Sequence, residues 1–261
     1  MTMKTVLITG AGSGIGRALA QVAASHGYRT ILVGRRAEAL AATATDTWAS
    51  ICVAADVTRA EGRARIVAAV GNRLDVLINN AGALRVGTAG EIDDAALGLM
   101  VQTNLLAPMA LTRDLLPALK AARGRVVNVG SMFGDIAYPY FAAYSATKFG
   151  LRGYSDALRR ELSGSGVGVT YAAPRAARTE ATEEFDALVG PMAMVLDAPE
   201  TVAARIWAAV ETGRNNSYPG AKERLFVLIQ RLFPALIDRS VGAQARDPKV
   251  TSALAALRHR A

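Results

Sequence analysis

Cysteine is nearly absent: Cys52 is the single thiol in 261 residues, which excludes an intrachain disulfide and offers no metal-ligand spacing. One free thiol suits a reducing compartment, and Cys52 reads as a small buried hydrophobe. Histidine is almost as scarce. With only His26 and His259, a Ser-His-Asp hydrolase or a His-ligated metal enzyme has too few residues to build from, and both histidines read as structural or solvated. Long apolar runs are missing too, since no stretch reaches the roughly 18 apolar residues of a membrane span. Met1 to Thr5 leads straight into an apolar strand pattern with no leader in front, so the expectation is a cytoplasmic protein.

What the chain does have is apolar volume. Hydrophobic residues make up 51% of it, enough at this length for a substantial core in one large domain. The formal charge of +8 suggests a nucleic-acid partner until it is located along the chain. Residues 214–261 hold nine Lys or Arg (Arg214, Lys222, Arg224, Arg231, Arg239, Arg246, Lys249, Arg258, Arg260) against three acids (Glu223, Asp238, Asp247), a surplus of six. A charge confined to an apolar tail with few aromatics disfavours nucleic acid.

Apolar runs rich in Val and Ile alternate with Ala-rich stretches of helical period. The strand candidates are TVLITG (5–10), TILVGR (30–35), ICVAAD (51–56), LDVLINN (74–80), GRVVNVGS (124–131) and GVGVTYAAP (166–174). Helices are predicted between them, ending near residues 27 and 49 and covering about 93–120 and 140–163. Continuous apolar strands with helical crossovers imply a parallel sheet, so the pattern predicts an α/β fold, a Rossmann-type doubly wound domain. From Arg175 to Pro199 the rhythm breaks, and this stretch reads as a long mobile insertion suited to act as a lid.

TGAGSGIGR, Thr9 to Arg17, leaves the first strand and opens the first helix. Gly10, Gly14 and Gly16 let the backbone approach a ligand, and a helix N-terminus offers unpaired N–H groups and partial positive charge, which fits a pyrophosphate. The spacing is TGxxxGIG rather than GxGxxG, with Ile15 where that fingerprint needs glycine. Past the second strand come Gly34, Arg35 and Arg36, with no carboxylate. An acid there would repel a ribose 2′-phosphate, whereas a guanidinium binds phosphate in a bidentate fork. Arg35 therefore predicts NADP(H) in preference to NAD(H), while Arg36 reads better as a solvated helix start.

Ser131 closes its strand, and in YSATK, Tyr144 to Lys148, the tyrosine and lysine stand four apart and share a helix face. A free tyrosine has a pKa of about 10; an ammonium at about 4 Å, at an effective dielectric of about 20, is worth roughly 4 kcal/mol, or about three pKa units. Lys148 can supply that charge. Ser131 can polarise a carbonyl oxygen and Tyr144 can protonate it while a cofactor hydride attacks the carbon. Tyr138 and Tyr140 lie in the same window, but neither precedes a lysine by four, so they are expected to line or flank a substrate pocket.

Together these motifs resemble the short-chain dehydrogenase/reductase family over nearly the whole chain. TGAGSGIG matches its TGxxxGxG loop, NNAG (Asn79 to Gly82) its post-strand motif, and Ser131 with YSATK its Ser and YxxxK. The resemblance implies a cofactor site formed by Gly10, Ser13, Gly14, Ile15 and Gly16, with Asp56 and Val57 flanking the adenine and Asn80, Ala81 and Gly82 bordering the dinucleotide. Lys148 would also bind the nicotinamide ribose, Tyr144 would border the nicotinamide, and Asn104 in VQTNLLAP would hold a relay water. A homodimer or homotetramer through the two long helices is implied as well. Purely structural roles stay open for Asn104, capping or kinking its own helix, and for Asn79 and Asn80 at a strand end. Past the sixth strand the chain departs from the family: AAPRAART keeps Pro174 and Thr179 as cofactor contacts but has Arg175 where a glycine is usual. Arg175 and Arg178 could touch a pyrophosphate or an acidic substrate, or stand in solvent.

Ala221 to Val241, AKERLFVLIQRLFPALIDRSV, combines a wide apolar face with a narrow charged stripe, and Pro234 should kink or divide its helix. Its apolar surface needs cover, from the substrate cleft, from another subunit or, given the basic surplus, from an anionic membrane surface. The expected organisation is a dinucleotide-binding and catalytic domain over 1–220, with a lid at about 175–199, and a basic amphipathic helical extension over 221–261. The expected function is NADP(H)-dependent interconversion of a ketone or aldehyde and an alcohol on a hydrophobic small molecule, in the cytoplasm or at the inner face of a membrane. The alternative is a catalytically silent dinucleotide sensor or scaffold, which would need only the glycine loop.

Overall fold

Short apolar runs form the central strands, buried on both faces, and the computed structural model, which describes residues 3–258, assembles seven strands into an all-parallel sheet. His259 and Arg260 lie outside the described residues. The strands are β1 (Thr5–Thr9), β2 (Arg29–Gly34), β3 (Ser50–Ala54), β4 (Val76–Asn79), β5 (Arg125–Val129), β6 (Gly168–Ala172) and the short β7 (Asn216–Ser217), in the order β3-β2-β1-β4-β5-β6-β7. The chain runs outward from β1 to β3 and then crosses back to β4, so the order reverses between β1 and β4. The register sets Thr9 opposite Val33 and Ile8 opposite Ile78, which brings the carboxyl ends level and opens a crevice at the reversal.

The helices are α1 (Gly14–Ser25), α2 (Ala37–Thr45), α3 (Ala60–Val70), α4 (Asp94–Val101), α5 (Ala107–Ala122), α6 (Ala142–Glu161), α7 (Asp186–Val189), α8 (Pro199–Glu211), α9 (Ala221–Leu232), α10 (Pro234–Ala245) and α11 (Pro248–Arg258). Strand alternation divides the core between the two faces of the sheet. Val6 and Ile8 pack with Leu19 of α1 and Trp207 of α8. Leu7 and Leu77 pack with Leu111 and Leu115 of α5 and Leu158 of α6.

Four expectations change. Cys52 is exposed rather than buried, because β3 is the edge of the sheet and its covering layers leave it partly open. The helix expected near 93–120 is α4 and α5 joined by one turn of π-helix, Gln102–Leu106. That continuous run, Asp94–Ala122, is 29 residues long and by length and composition apolar enough to cross a membrane, although no such stretch was expected. Leu111, Leu115 and Leu119 nonetheless pack it against the sheet, and Asp114 is ion-paired to Arg63 at 2.9 Å. Finally, the insertion expected as a loose loop carries structure of its own: Thr179 and Thr182 form a capping box, and Phe185, Leu188 and Met192 make a third core with Phe141, Val250 and Leu254. Pro234 divides the tail as expected, opening α10.

Candidate active site

The carboxyl ends of β1, β2, β4, β5 and β6 open into one cleft of about 940 Å³. Gly10, Ser13, Gly14, Ile15, Arg35, Asp56, Val57, Asn80, Ala81, Gly82, Ser131, Tyr144, Lys148, Pro174 and Thr179 all line it. Gly16 and Asn104 stand behind it. Gly10 has φ +66°, and a Cβ on Gly16 would come within 2.0 Å of the Gly10 carbonyl oxygen, so α1 can sit on the loop only without side chains there. Ser13 caps α1 in an extended conformation with no side-chain cap bond, leaving the first-turn N–H groups without a side-chain acceptor beside the cleft. The loop is stapled to the end of β4: Asn80 donates its amide to the Thr9 carbonyl at 2.9 Å, and the backbone N–H groups of Asn80 and Ala81 donate to Thr9 Oγ1 at 2.9 and 3.0 Å. A backbone cradle with unpaired donors fits a pyrophosphate.

At one end of the cleft Asp56 accepts from the Thr58 backbone at 2.9 Å and from its hydroxyl at 2.7 Å. Burial opposes the charged carboxylate, yet the Thr58 hydrogen bonds and the charges of Arg35 and Arg59 hold its pKa below the usual range. Arg36, expected as a solvated helix start, is exposed but pairs with Glu180 of the insertion at 2.9 Å. Arg35 is left facing the cleft.

At the centre, Ser131 Oγ accepts from the Phe133 N–H at 3.1 Å and hydrogen-bonds to Tyr144. Its backbone is held by a residue that sequence reasoning did not single out. The Tyr171 hydroxyl donates to the Ser131 carbonyl at 3.2 Å and accepts from its N–H at 3.5 Å. Tyr171 looks like any aromatic strand residue, and only the packing of β6 against β5 brings it beneath the serine turn. Lys148 is buried, donates to the Val129 carbonyl at 3.0 Å and lies 5.5 Å from the Tyr144 ring centroid.

The balance of forces on this pair differs from the expectation of an acidified phenol. Burial pushes the Tyr144 phenol up to about 12, against the opposing pull of the Ser131 hydrogen bond, and burial pushes the Lys148 ammonium down to about 8. Burial penalises the charged form of each, and the attraction between them does not offset that penalty.

Asn104 sits in the π-turn and its amide is fully engaged. Oδ1 accepts from the Ala83 N–H at 2.7 Å, while Nδ2 donates to the Ala83 carbonyl at 2.8 Å and to Thr147 Oγ1 at 3.1 Å. It clamps the loop after β4 onto α6. Asn79 is likewise internal, donating to Thr112 Oγ1 at 3.1 Å and Asn128 Oδ1 at 2.9 Å.

Arg175 borders the cleft, but its guanidinium is taken up by two acids. It donates to Asp197 at 3.0 Å and to Glu223 at 2.8 Å, joining the base of the insertion to the first turn of α9, while Arg205 shares Asp197 at 3.0 Å. Arg178 is exposed. Beyond Tyr144 the wall is apolar: Tyr138, Phe141, Phe185, Met194, Phe226 and Ile237 line it. Tyr140, at φ +69°, donates its hydroxyl to the Ala245 carbonyl at 2.7 Å and so anchors α10.

The short chain dehydrogenase family model matches residues 4–188. The ketoacyl reductase HetN of Nostoc sp. is 30% identical over 253 residues, covering 92% of this chain and 88% of that protein. Among solved structures, a short chain dehydrogenase from Burkholderia cenocepacia in complex with NADP superposes with a TM-score of 0.81 at 25% identity, covering 92% of this chain and 97% of that one. The 3-ketoacyl-(acyl-carrier-protein) reductase from Brucella melitensis complexed with NADH gives 0.73 at 26% identity, covering 82% and 94%.

Proposed function

The chain belongs to the short-chain dehydrogenase family, and from that premise we propose that it is an NADP(H)-dependent oxidoreductase interconverting a ketone or aldehyde and an alcohol on an apolar small molecule. The observation that carries the proposal is the convergence of Ser131, Tyr144 and Lys148 in the cleft that also holds the Gly10–Ile15 cradle. A silent sensor would have no use for that trio. A bound dinucleotide supplies the hydride. The Ser131 hydroxyl orients and polarises the carbonyl oxygen, and Tyr144, which holds its proton across the neutral range, donates it to that oxygen. Lys148, fixed by the Val129 carbonyl, supplies the positive charge that favours the phenolate left behind. Asn104 holds the Ala83 backbone and so fixes the loop after β4 that lines the cleft.

Arg35 supports NADP(H): it faces the cleft at the end of β2, where a 2′-phosphate would meet a guanidinium and no carboxylate precedes it. The Burkholderia relative binds NADP, the Brucella relative NADH. An apolar wall built from the insertion and tail supports a hydrophobic substrate. Exposed Leu97, Leu99 and Val101 on α4, Leu106 in the π-turn and Met109 on α5, with Phe149 on α6, support a homodimer or homotetramer through those helices. The test is an NADPH-oxidation screen over ketones of graded size. The expected result is turnover that grows with apolar bulk and a KM for NADPH below that for NADH; no turnover with any ketone or aldehyde overturns the proposal.

A further inference from the structure

Helices α9 and α10 are covered on one side only. Toward the protein, Val227 is buried, Glu223 is held by Arg175, and Phe226, Ile237 and Val241 line the cleft. On the outside, Leu225, Leu228 and Leu232 form one stripe along α9 at helical spacing, and exposed Phe233 and Leu236 follow at the helix break and on the first turn of α10. All five are exposed, Leu232 by 60% and Leu236 by 59%. Arginines border the stripe. Arg224 and Arg231 lie one turn to either side of Leu228, and Arg239 follows on α10, all exposed. Arg231 approaches Asp135 at 3.5 Å yet stays 58% exposed, and Arg224 lies 6.0 Å from the Tyr218 ring centroid.

An apolar stripe edged with arginine could meet a second copy of the chain or an anionic lipid surface. Charge separates the two. Helices α9 and α10 carry Lys222, Arg224, Arg231 and Arg239 against Asp238 and Glu223, the latter held by Arg175, so a two-fold contact between these faces would bring together two surfaces of the same positive sign. Anionic headgroups neutralise that surplus while the leucines enter the boundary with the acyl chains. The stripe also adjoins the cleft, because Phe226 is both exposed and cleft-lining, as is Val195 of the insertion. We infer that the α9–α10 pair docks on an anionic bilayer surface and sets the mouth of the cleft against it, so that an apolar carbonyl substrate enters from lipid rather than from water. The entry route rests on the oxidoreductase reading; the docking does not.

The experiment uses the full chain with phosphatidylcholine vesicles prepared with and without phosphatidylserine. It compares wild type, the double variant Leu228→Ser with Leu232→Ser, and the double variant Arg224→Gln with Arg239→Gln. The expected result is flotation with phosphatidylserine vesicles, weakened by salt, and roughly tenfold or more weaker partitioning in both variants. Turnover of a water-soluble ketone should be unchanged in the variants, while turnover of a vesicle-dissolved ketone falls with partitioning. Absence of flotation by wild type that does turn over the soluble ketone overturns the docking and leaves the enzyme reading in place. Flotation without turnover of any ketone does the reverse. A wild-type dimer that becomes monomeric in the leucine variant, without flotation, assigns the stripe to a second copy and overturns the inference.

Discussion

At the scale of single residues, burial disfavours the ionised form of the Tyr144 phenol, which therefore keeps its proton. Tyr144 is poised as a donor, so Tyr144→Phe should lower kcat by about a thousandfold or more while NADPH affinity, measured by fluorescence titration, stays within about threefold. The pH dependence follows from Lys148. Its pKa is depressed to about 8, so the ammonium is present at lower pH and is lost as pH rises through that value. With it goes the charge that favours the product phenolate. A pH profile of kcat/KM for reduction should therefore be flat through neutrality and fall above about pH 8; a rise through that region would exclude the assigned role. At the other end of the cleft, Arg35→Asp should raise the KM for NADPH roughly tenfold or more and narrow or invert its preference over NADH, since it replaces a phosphate-binding cation by an anion. All of these residues were legible in the sequence because each belongs to a short, local motif. Tyr171 was not, since its contact with Ser131 spans forty residues and depends on strand pairing.

At the scale of elements, the joints between pieces carry the site. Arg175 is such a joint, tying the insertion to α9 through Asp197 and Glu223, both largely buried. Arg175→Ala should destabilise the chain by about 1–2 kcal/mol, because it leaves two carboxylates without that partner, partly compensated by Arg205 at Asp197. Limited proteolysis should then cut the 175–199 stretch and α9 sooner, and KM for the ketone should rise with little change for NADPH. The local pattern could not distinguish this strut from a solvated or ligand-binding arginine, because its partners lie 22 and 48 residues away. Element types followed the sequence pattern closely for β1, β2, β4, β5 and β6. The π-turn between α4 and α5 escaped it: a segment with one extra residue in a helical turn keeps nearly the same apolar period, and Asn104 marks it only through its contacts.

For the whole molecule, the C-terminal helices complete what the sheet begins. Val250 and Leu254 of α11 close the third core against Phe141 and Phe185, and α9 and α10 wall the cleft. A chain truncated after Gly220 should still bind NADPH, since the glycine cradle and Arg35 lie wholly in the earlier part, but should lose turnover of bulky ketones and melt several degrees lower. Titration calorimetry with NADPH and a thermal melt check both halves. Full activity on bulky ketones would show that the tail is no part of the substrate site.

The sequence by itself determined the sheet and the chemistry of the cleft. Buried parallel strands announce themselves as apolar runs, and a glycine turn, a serine and a Tyr-Lys pair occupy short windows whose geometry local backbone rules dictate. Only the tertiary structure decided whether a given side chain ends up covered. Cys52 became exposed because its strand took the edge, Arg175 became a strut because two distant acids converge on it, and the phenol became harder rather than easier to ionise because its packing disfavours the charged form. Burial is a sum over contacts from distant parts of the chain, and no local pattern contains that sum.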